Sequence, residues 1–146
     1  MQANVQVAAG ATTSANFPIT TTAVATGTRV TITASYQGVT QQAQIMVNVA
    51  TPLAVQLSQT SVKGGATVPA NSVKMDGPAP SGGLTVSLTS SNPAVAAVPA
   101  TVTVSPGLKI SQTFAIATAA VKSSTAVTIS ASYHGITQSA TLIVTP

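Results

Sequence analysis

Apolar and polar residues alternate strictly along several short stretches of the chain. From Val30 to Tyr36, Val, Ile, Ala and Tyr occupy every second position, and Thr or Ser stands between them. The same alternation returns from Val127 to Tyr133. Because successive side chains of a strand point to opposite faces, each stretch predicts a strand with one buried face and one face exposed to water.

Each of these strands ends at a short turn that contains glycine. Gln37-Gly38 follows the first strand and His134-Gly135 follows the second, and another alternating stretch comes after each turn. This arrangement predicts two β-hairpins. The apolar residues of their return strands are Ala43, Ile45 and Val47 in one hairpin and Ala140, Leu142 and Val144 in the other.

The two hairpins belong to a longer internal duplication. Residues 5–49 and 102–146 align without a gap at a constant shift of 102 − 5 = 97 residues, and 21 of the 45 aligned positions are identical. Upstream of the hairpins, the duplication predicts two further strands in each copy. The apolar residues of these strands are Val5, Val7, Phe17 and Ile19 in the first copy and Val102, Val104, Phe114 and Ile116 in the second.

The segment between the two copies occurs only once. Its predicted strands lie around 53–57, 68–75 and 84–88, with a minor edge strand around 94–98. Turn-forming Gly, Pro and Ser residues dominate the loop 76–83. Pro69 and Asn71 interrupt the second of these strands, and they predict an irregular or an edge strand because proline cannot donate to a ladder.

Together these elements predict an all-β protein with an immunoglobulin-like antiparallel β-sandwich. Residues 51–146 hold about seven main strands, the number expected of a complete module. Residues 1–50 hold about four strands, which correspond to the C-terminal half of an equivalent module. Pro52 marks the junction between the half module and the complete one.

The complete module resembles a known family. The run PAPSGGLTVSLTSSNPAVAAVPATVTVSPG, followed by TFAI, VTISASYHGIT and SATLIVTP, is similar to the bacterial Ig-like modules that occur in tandem in large secreted and cell-surface proteins. The resemblance covers residues 53–146 and, in half-length form, residues 3–50. It implies an extracellular or cell-surface location, and we expect any secretion signal or anchor to lie outside this chain.

Composition restricts the chemistry that this chain can perform. Charged residues make up 4% of the sequence, which holds one Asp, one His, no Glu and no Cys. Catalysis by general acids and bases needs titratable groups in pairs, and calcium or zinc sites need several carboxylate, His or Cys ligands. We therefore expect no enzyme activity, no cofactor and no metal site.

The charge pattern does not favour nucleic acid as a partner, and the apolar runs are too short for a membrane span. The five cations are scattered along the chain and are not interleaved with aromatic residues. Nucleic-acid sites cluster their basic residues, and single-stranded sites add stacking rings. No apolar run approaches the roughly 20 residues that a membrane-spanning helix needs. We expect neither nucleic-acid binding nor a membrane span.

The half module raises a problem of burial. Without its front strands, its inner face and edges would stay uncovered. The residues of this candidate assembly interface are Val5, Val7, Phe17, Ile19, Val30, Ile32, Tyr36, Ile45 and Val47. Three arrangements would cover them: symmetric pairing of two half modules, addition to the edge of a full module, or completion by strands of another segment.

Two functions fit these expectations. The first is a non-catalytic structural module that serves as a spacer, stalk or filament subunit and associates with itself or with neighbouring Ig-like modules. The alternative is an adhesive module that binds polysaccharide or a host surface through its loops. The candidate ligand positions are Asp76, Gly77, Ser81, Gly82, Gln37 and His134. Flat sugar sites generally present aromatic rings, yet the chain has no Trp, and alternation points Tyr36 and Tyr133 inward, as it does Phe17 and Phe114.

Overall fold

The computed structural model describes residues 4–146, which form strands joined by turns and irregular segments. The eleven strands are β1 (Thr28–Tyr36), β2 (Val39–Val47), β3 (Pro52–Gln56), β4 (Ser61–Lys63), β5 (Thr67–Met75), β6 (Leu84–Ser90), β7 (Ala96–Ala97), β8 (Thr101–Val104), β9 (Phe114–Thr118), β10 (Thr125–Tyr133) and β11 (Ile136–Thr145). The predicted all-β class is confirmed. Residues 4–146 hold no helix that is long and apolar enough to cross a bilayer.

Strands β3 to β11 form two sheets around one core. One sheet has the order β4-β11-β10-β6-β8, and the other has the order β3-β5-β9-β7. The two sheets meet where β3 packs against β10 and β11. Residues 52–145 therefore form a β-sandwich-like unit.

The alternating sequence pattern places the core of this unit. Along β6, Leu84, Val86 and Leu88 are buried while Thr85 and Ser87 are exposed. The apolar side chains of both sheets contribute to the core, and burial of this apolar area is the main favourable contribution to folding. The largest fully buried apolar side chains are Met75, Ile116, Ile129, Leu142, Val68, Val73, Val86, Val104, Val127 and Val144.

The irregular strand predicted at Pro69 and Asn71 is β5. Its register against β9 shifts between Val68 and Asn71, and Ala70 has a φ of 58°. β5 lies between β3 and β9. The alternative prediction of an edge strand is therefore wrong, because the bulge accommodates Pro69 in the interior of the sheet.

Asn71 satisfies the backbone groups that this bulge would leave unpaired. Its side chain is fully buried. Its Oδ1 accepts a hydrogen bond from the Ser58 amide at 3.0 Å, and its Nδ2 donates to the Val68 and Phe114 carbonyl oxygens at 2.8 and 3.1 Å. The buried amide thus ties β5 to β9 and to the segment after β3.

Residues 4–50 hold two strands where the sequence predicted about four before residue 51. β1 and β2 pair with each other, whereas residues 4–27 form turns, bends and irregular backbone. The strands predicted around Val5 and Val7, and around Phe17 and Ile19, are therefore wrong. Their counterparts β8 and β9 pair with β5, β6 and β7, which all lie in the segment that occurs once. Strand formation at these positions depends on partners that the first copy lacks.

The chain enters the β-sandwich-like unit at one end and leaves it at the other. Pro52 begins β3 beside Met75, at the end where the 76–83 loop joins β5 to β6. The turn between β10 and β11 lies at this same end, because β10 runs antiparallel to β6, from Ile129 opposite Ser90 to Ser132 opposite Ser87, toward the start of β6. β11 then runs to the opposite end and stops at Thr145.

Candidate assembly interface

The two hairpins have the same ladder. β1 and β2 pair from Thr28 opposite Val47 to Tyr36 opposite Val39. β10 and β11 pair from Thr125 opposite Val144 to Tyr133 opposite Ile136. Adding 97 to every residue number of the first ladder gives the second, so the duplicated sequence encodes one register twice.

The turn of each hairpin explains why this ladder forms locally. Gln37 and Gly38 have φ values of 48° and 81°, and His134 and Gly135 have values of 48° and 78°. Positive φ at both central residues is the requirement of a type I′ turn, whose twist matches that of two adjoining antiparallel strands. Each hairpin is therefore specified by its own sequence.

The inner faces of the two hairpins differ in burial. Val30 opposes Ile45 on the first hairpin, so both side chains lie on one face, together with Ile32. Val30 is 36% exposed, and Ile32 and Ile45 are half-buried. Their counterparts Val127, Ile129 and Leu142 are fully buried in the core.

The aromatic residues follow the same division. Phe17 is 37% exposed and Tyr36 is 77% exposed, so the prediction that these two rings pack in a core is wrong. Phe114 is buried, and Tyr133 is partly buried and packs against the core, as predicted. The rings of the first copy are exposed because the described residues supply no second sheet to cover them.

We call the uncovered surface of the first copy the open face. Its residues are the nine predicted for the assembly interface, Val5, Val7, Phe17, Ile19, Val30, Ile32, Tyr36, Ile45 and Val47, all of them exposed or half-buried. In the second copy, β3 packs against β10 and β11, β6 pairs with the edge of β10, and β5 pairs with β9. On the hairpin, Val30, Ile32 and Ile45 share one face, and exposed apolar surface marks interaction sites in soluble proteins when it forms a patch.

Asp76 is hydrogen-bonded to Thr51, which lies at the junction between β2 and β3. Its Oδ1 accepts a hydrogen bond from the Thr51 amide at 2.7 Å, and its Oδ2 accepts one from Thr51 Oγ1 at 2.9 Å. The Asp76 amide donates in return to the Thr51 carbonyl oxygen at 3.0 Å. Both oxygens of the only carboxylate side chain in the sequence are therefore used within the protein.

The junction is also packed. Ala50 and Pro52 are buried, and a Cβ added to Gly77 would lie 3.4 Å from the Ala50 Cβ. A pocket of about 320 Å³ lies beside them and is lined by residues 21–23, 47–50 and 76–78. Its one charged group is Asp76, which already binds Thr51. Sequence reasoning missed this contact because the two residues are 25 positions apart and neither belongs to a recognisable motif.

The remaining candidate ligand positions are divided between two places. Ser81 and Gly82 are exposed in the 76–83 loop, and His134 is exposed in the β10–β11 turn at the same end of the unit. The His134 ring lies 4.4 Å from the Tyr133 ring, centroid to centroid. Gln37 lies on the other hairpin, where its Nε2 is 3.3 Å from the Tyr36 hydroxyl. Among residues 4–146, no hydrogen bond joins Gln37 or His134 to the 76–83 loop.

No protein-family model matches the chain, and no curated protein matches it. Within residues 4–146, no three His, Cys, Asp or Glu side chains gather into a metal-binding group. The second copy inside the chain is therefore the reference for judging what the open face lacks.

Proposed function

We propose that this chain is a non-catalytic structural unit of an extracellular bacterial protein built from tandem immunoglobulin-like modules. In that protein it acts as a spacer, stalk or filament subunit, and its half module assembles by strand complementation. One observation carries the proposal: the same apolar residues are buried in the second copy and uncovered in the first. A protein that repeats a ladder and leaves one face open is suited to joining units.

The strand order supports the immunoglobulin-like assignment. The seven longer strands from β3 onward can be lettered A, B, C, C′, E, F and G in chain order, with β4 and β7 as short additions. One sheet then has the order A-B-E, and the other has G-F-C-C′. Immunoglobulin sandwiches oppose A, B and E to C, F and G, and some add C′ beside C.

The path of the chain supports a role as spacer. Because the chain enters the β-sandwich-like unit at one end and leaves it at the other, consecutive units would stack end to end. β11 spans ten residues, and at roughly 3.3 Å per residue each unit would add about 33 Å of length. Residues 47–50 and 76–78, which line one pocket at the entry end, would set the angle at which one unit follows another.

The pairing of β4 with β11 supports a role under tension. The two strands are parallel, and they belong to the beginning and the end of the unit. Backbone hydrogen bonds from Ile143 to Thr60 and from Gly64 to Thr145 extend the ladder, both at 2.8 Å. A pull on the two ends of the unit would load these bonds together in shear, so several must break at once.

Exposed Tyr36 favours the alternative function, an adhesive module that binds polysaccharide. Its ring stands beside Gln37 at the tip of the first hairpin, where a sugar could stack on it. Asp76 weighs against this alternative, since its carboxylate is already bonded to Thr51. A glycan array separates the two: reproducible binding that Tyr36→Ala removes would overturn the structural proposal, and we expect none.

Light scattering over a range of protein concentrations tests the assembly part of the proposal. We expect reversible association, because the open face is apolar, and we expect Val30→Asp with Ile45→Asp to abolish it. The matched control is Thr31→Asp with Gln44→Asp, which adds the same charges to a cross-strand pair on the outer face of the same hairpin. A monodisperse monomer at high concentration would contradict assembly through this face.

A further inference from the structure

We infer that the open face binds one particular kind of partner, a polypeptide segment with the strand pattern and inward residues of 52–98. We call this partner a front-half segment. The inference rests on the proposed function and adds the identity of the complementing strands. The second copy supplies the template, because its equivalent residues are covered by residues 52–98 of the same chain.

The free edge of β1 matches the edge that β6 occupies on β10. β6 pairs with residues 129–132 of β10, and Ser91 exchanges hydrogen bonds with Thr128 just beyond them. The corresponding residues of β1 are Thr31 to Ser35, which differ from Thr128 to Ser132 only by Thr33 in place of Ser130. β1 pairs only with β2 in its sheet, so its other edge can accept the same strand.

The first copy also keeps the residues that bind β5. Phe114 pairs with Asn71, and Ile116 pairs with Val68. Phe17 and Ile19 are identical to Phe114 and Ile116 in type, and they are exposed. A front-half segment would bury both side chains and give the Phe17 carbonyl oxygen the buried amide donor that Asn71 provides to Phe114.

Ser14 gives an independent indication of the same partner. Its counterpart Ser111 is buried, donates from Oγ to the next carbonyl oxygen at 2.8 Å, and accepts a hydrogen bond from the Val73 amide of β5 at 2.9 Å. Ser14 Oγ makes the same local hydrogen bond, to the Ala15 carbonyl oxygen at 3.0 Å. Its oxygen is therefore already oriented to accept an amide from an incoming strand.

A second copy of this chain can cover the open face only weakly, by the reversible association expected above, because it has no free front half to supply. Its residues 52–98 already cover its own second copy, where Val68, Val73 and Val86 are fully buried. If these residues covered the open face of a neighbouring chain instead, that core would be exposed to solvent. Residues 1–146 hold one front half and two back halves, so exchange of these residues between identical chains leaves one back half uncovered. Symmetric pairing of two hairpins would leave Ser14 and Phe17 without their β5-type donors.

The test is a chain in which a second copy of residues 51–101 precedes Val5. Because Thr101 aligns with Asn4 at the shift of 97, this join reproduces the spacing of the natural module. Two rates report whether the added segment covers the hairpin: amide hydrogen exchange of β1 and β2, and cleavage by trypsin after Arg29. We expect both rates to fall at least about tenfold relative to the natural chain, since covered strands open far less often. Amides of residues 125–145 serve as the internal control and should not change.

A matched control places Val73→Asp and Val86→Asp in the added segment only. We expect this chain to lose the protection of β1 and β2 while its own 51–146 unit stays folded. Equal exchange with and without the intact segment would overturn the inference. So would concentration-dependent association that persists after the segment is added, because the occupant would then be a second copy. Neither result bears on the glycan array, where reproducible binding that Tyr36→Ala removes would instead count against the proposed function.

Discussion

The hairpin of β1 and β2 and the hairpin of β10 and β11 have the same register, the same turn and largely the same residues, yet they differ in burial. The inner face of the second is buried in a core, whereas the first presents Val30 and Tyr36 to solvent. Local sequence is therefore sufficient to specify a hairpin, and residues 52–98 decide whether that hairpin becomes part of a sandwich. An isolated two-stranded hairpin is marginal in water.

The largest effect should come from Ile129→Ala, compared with its duplicate Ile32→Ala. Ile129 is fully buried, so its truncation should lower the free energy of unfolding by about 2–5 kcal/mol. Ile32 is half-buried on the open face, and the same change should cost less than about 1 kcal/mol. Urea denaturation followed by circular dichroism measures both. Equal losses would show that the two hairpins are equally covered in solution.

A smaller loss should follow from Asn71→Ala. The change leaves the Ser58 amide and the Val68 and Phe114 carbonyl oxygens without their side-chain partner. We expect a loss of about 1–3 kcal/mol in the free energy of unfolding, the cost of leaving buried polar groups unpaired. Asn48→Ala, at an exposed position of the linker, is the control and should change little. A neutral Asn71→Ala would mean that the β5 bulge satisfies itself in another way.

The junction gives a third comparison. Asp76→Asn removes one acceptor from the pair of hydrogen bonds to Thr51. We expect the Thr51 amide to exchange several times faster, which corresponds to about 1 kcal/mol, while the core amides of β10 stay unchanged. Thr51→Val, which removes only the hydroxyl donor, should have a smaller effect. Unchanged Thr51 exchange in Asp76→Asn would show that packing of Ala50 and Pro52 alone holds the junction.

The smallest effect concerns the turns. Gln37 and His134 adopt positive φ. Asn tolerates positive φ better than Gln does, and Asn before Gly is the preferred pair of a type I′ turn. His134→Asn should stabilise the 51–146 unit by up to about 0.5 kcal/mol, measured by thermal unfolding. Gln37→Asn should leave that melting temperature unchanged, since its hairpin lies outside the unit. A shift of equal size from Gln37→Asn would indicate that both hairpins unfold together.

Much of this fold could be predicted because strand periodicity and turn chemistry are local. Alternation identified β1, β6, β10 and the return strands, and glycine marked both hairpin turns. The short strand β4 was missed because three residues carry too little periodicity to be recognised. The strands predicted around Val5 and Phe17 do not form. Alternation shows only that a segment is able to pair, and the strands with which their counterparts pair lie elsewhere in the sequence.

Alternation identified the apolar side chains of the open face, and the strand count indicated that the strands needed to cover them were missing. The geometry of the open face was not predicted. Exposure of Tyr36 and Phe17 follows from the uncovered hairpin, and no sequence pattern distinguishes them from the partly buried Tyr133 and the buried Phe114. The Asp76–Thr51 contact depends on the approach of two distant loops, which periodicity does not encode.

Amide hydrogen exchange of the natural chain at low concentration tests the central difference most directly. Each amide of residues 28–47 can be compared with its partner 97 positions later, so nearly identical sequences serve as their own controls. The uncovered hairpin should exchange close to the unfolded rate, and its duplicate should be protected at least about a hundredfold more strongly. Equal protection of the two hairpins would contradict the claim that residues 52–98 alone separate a marginal hairpin from a folded module.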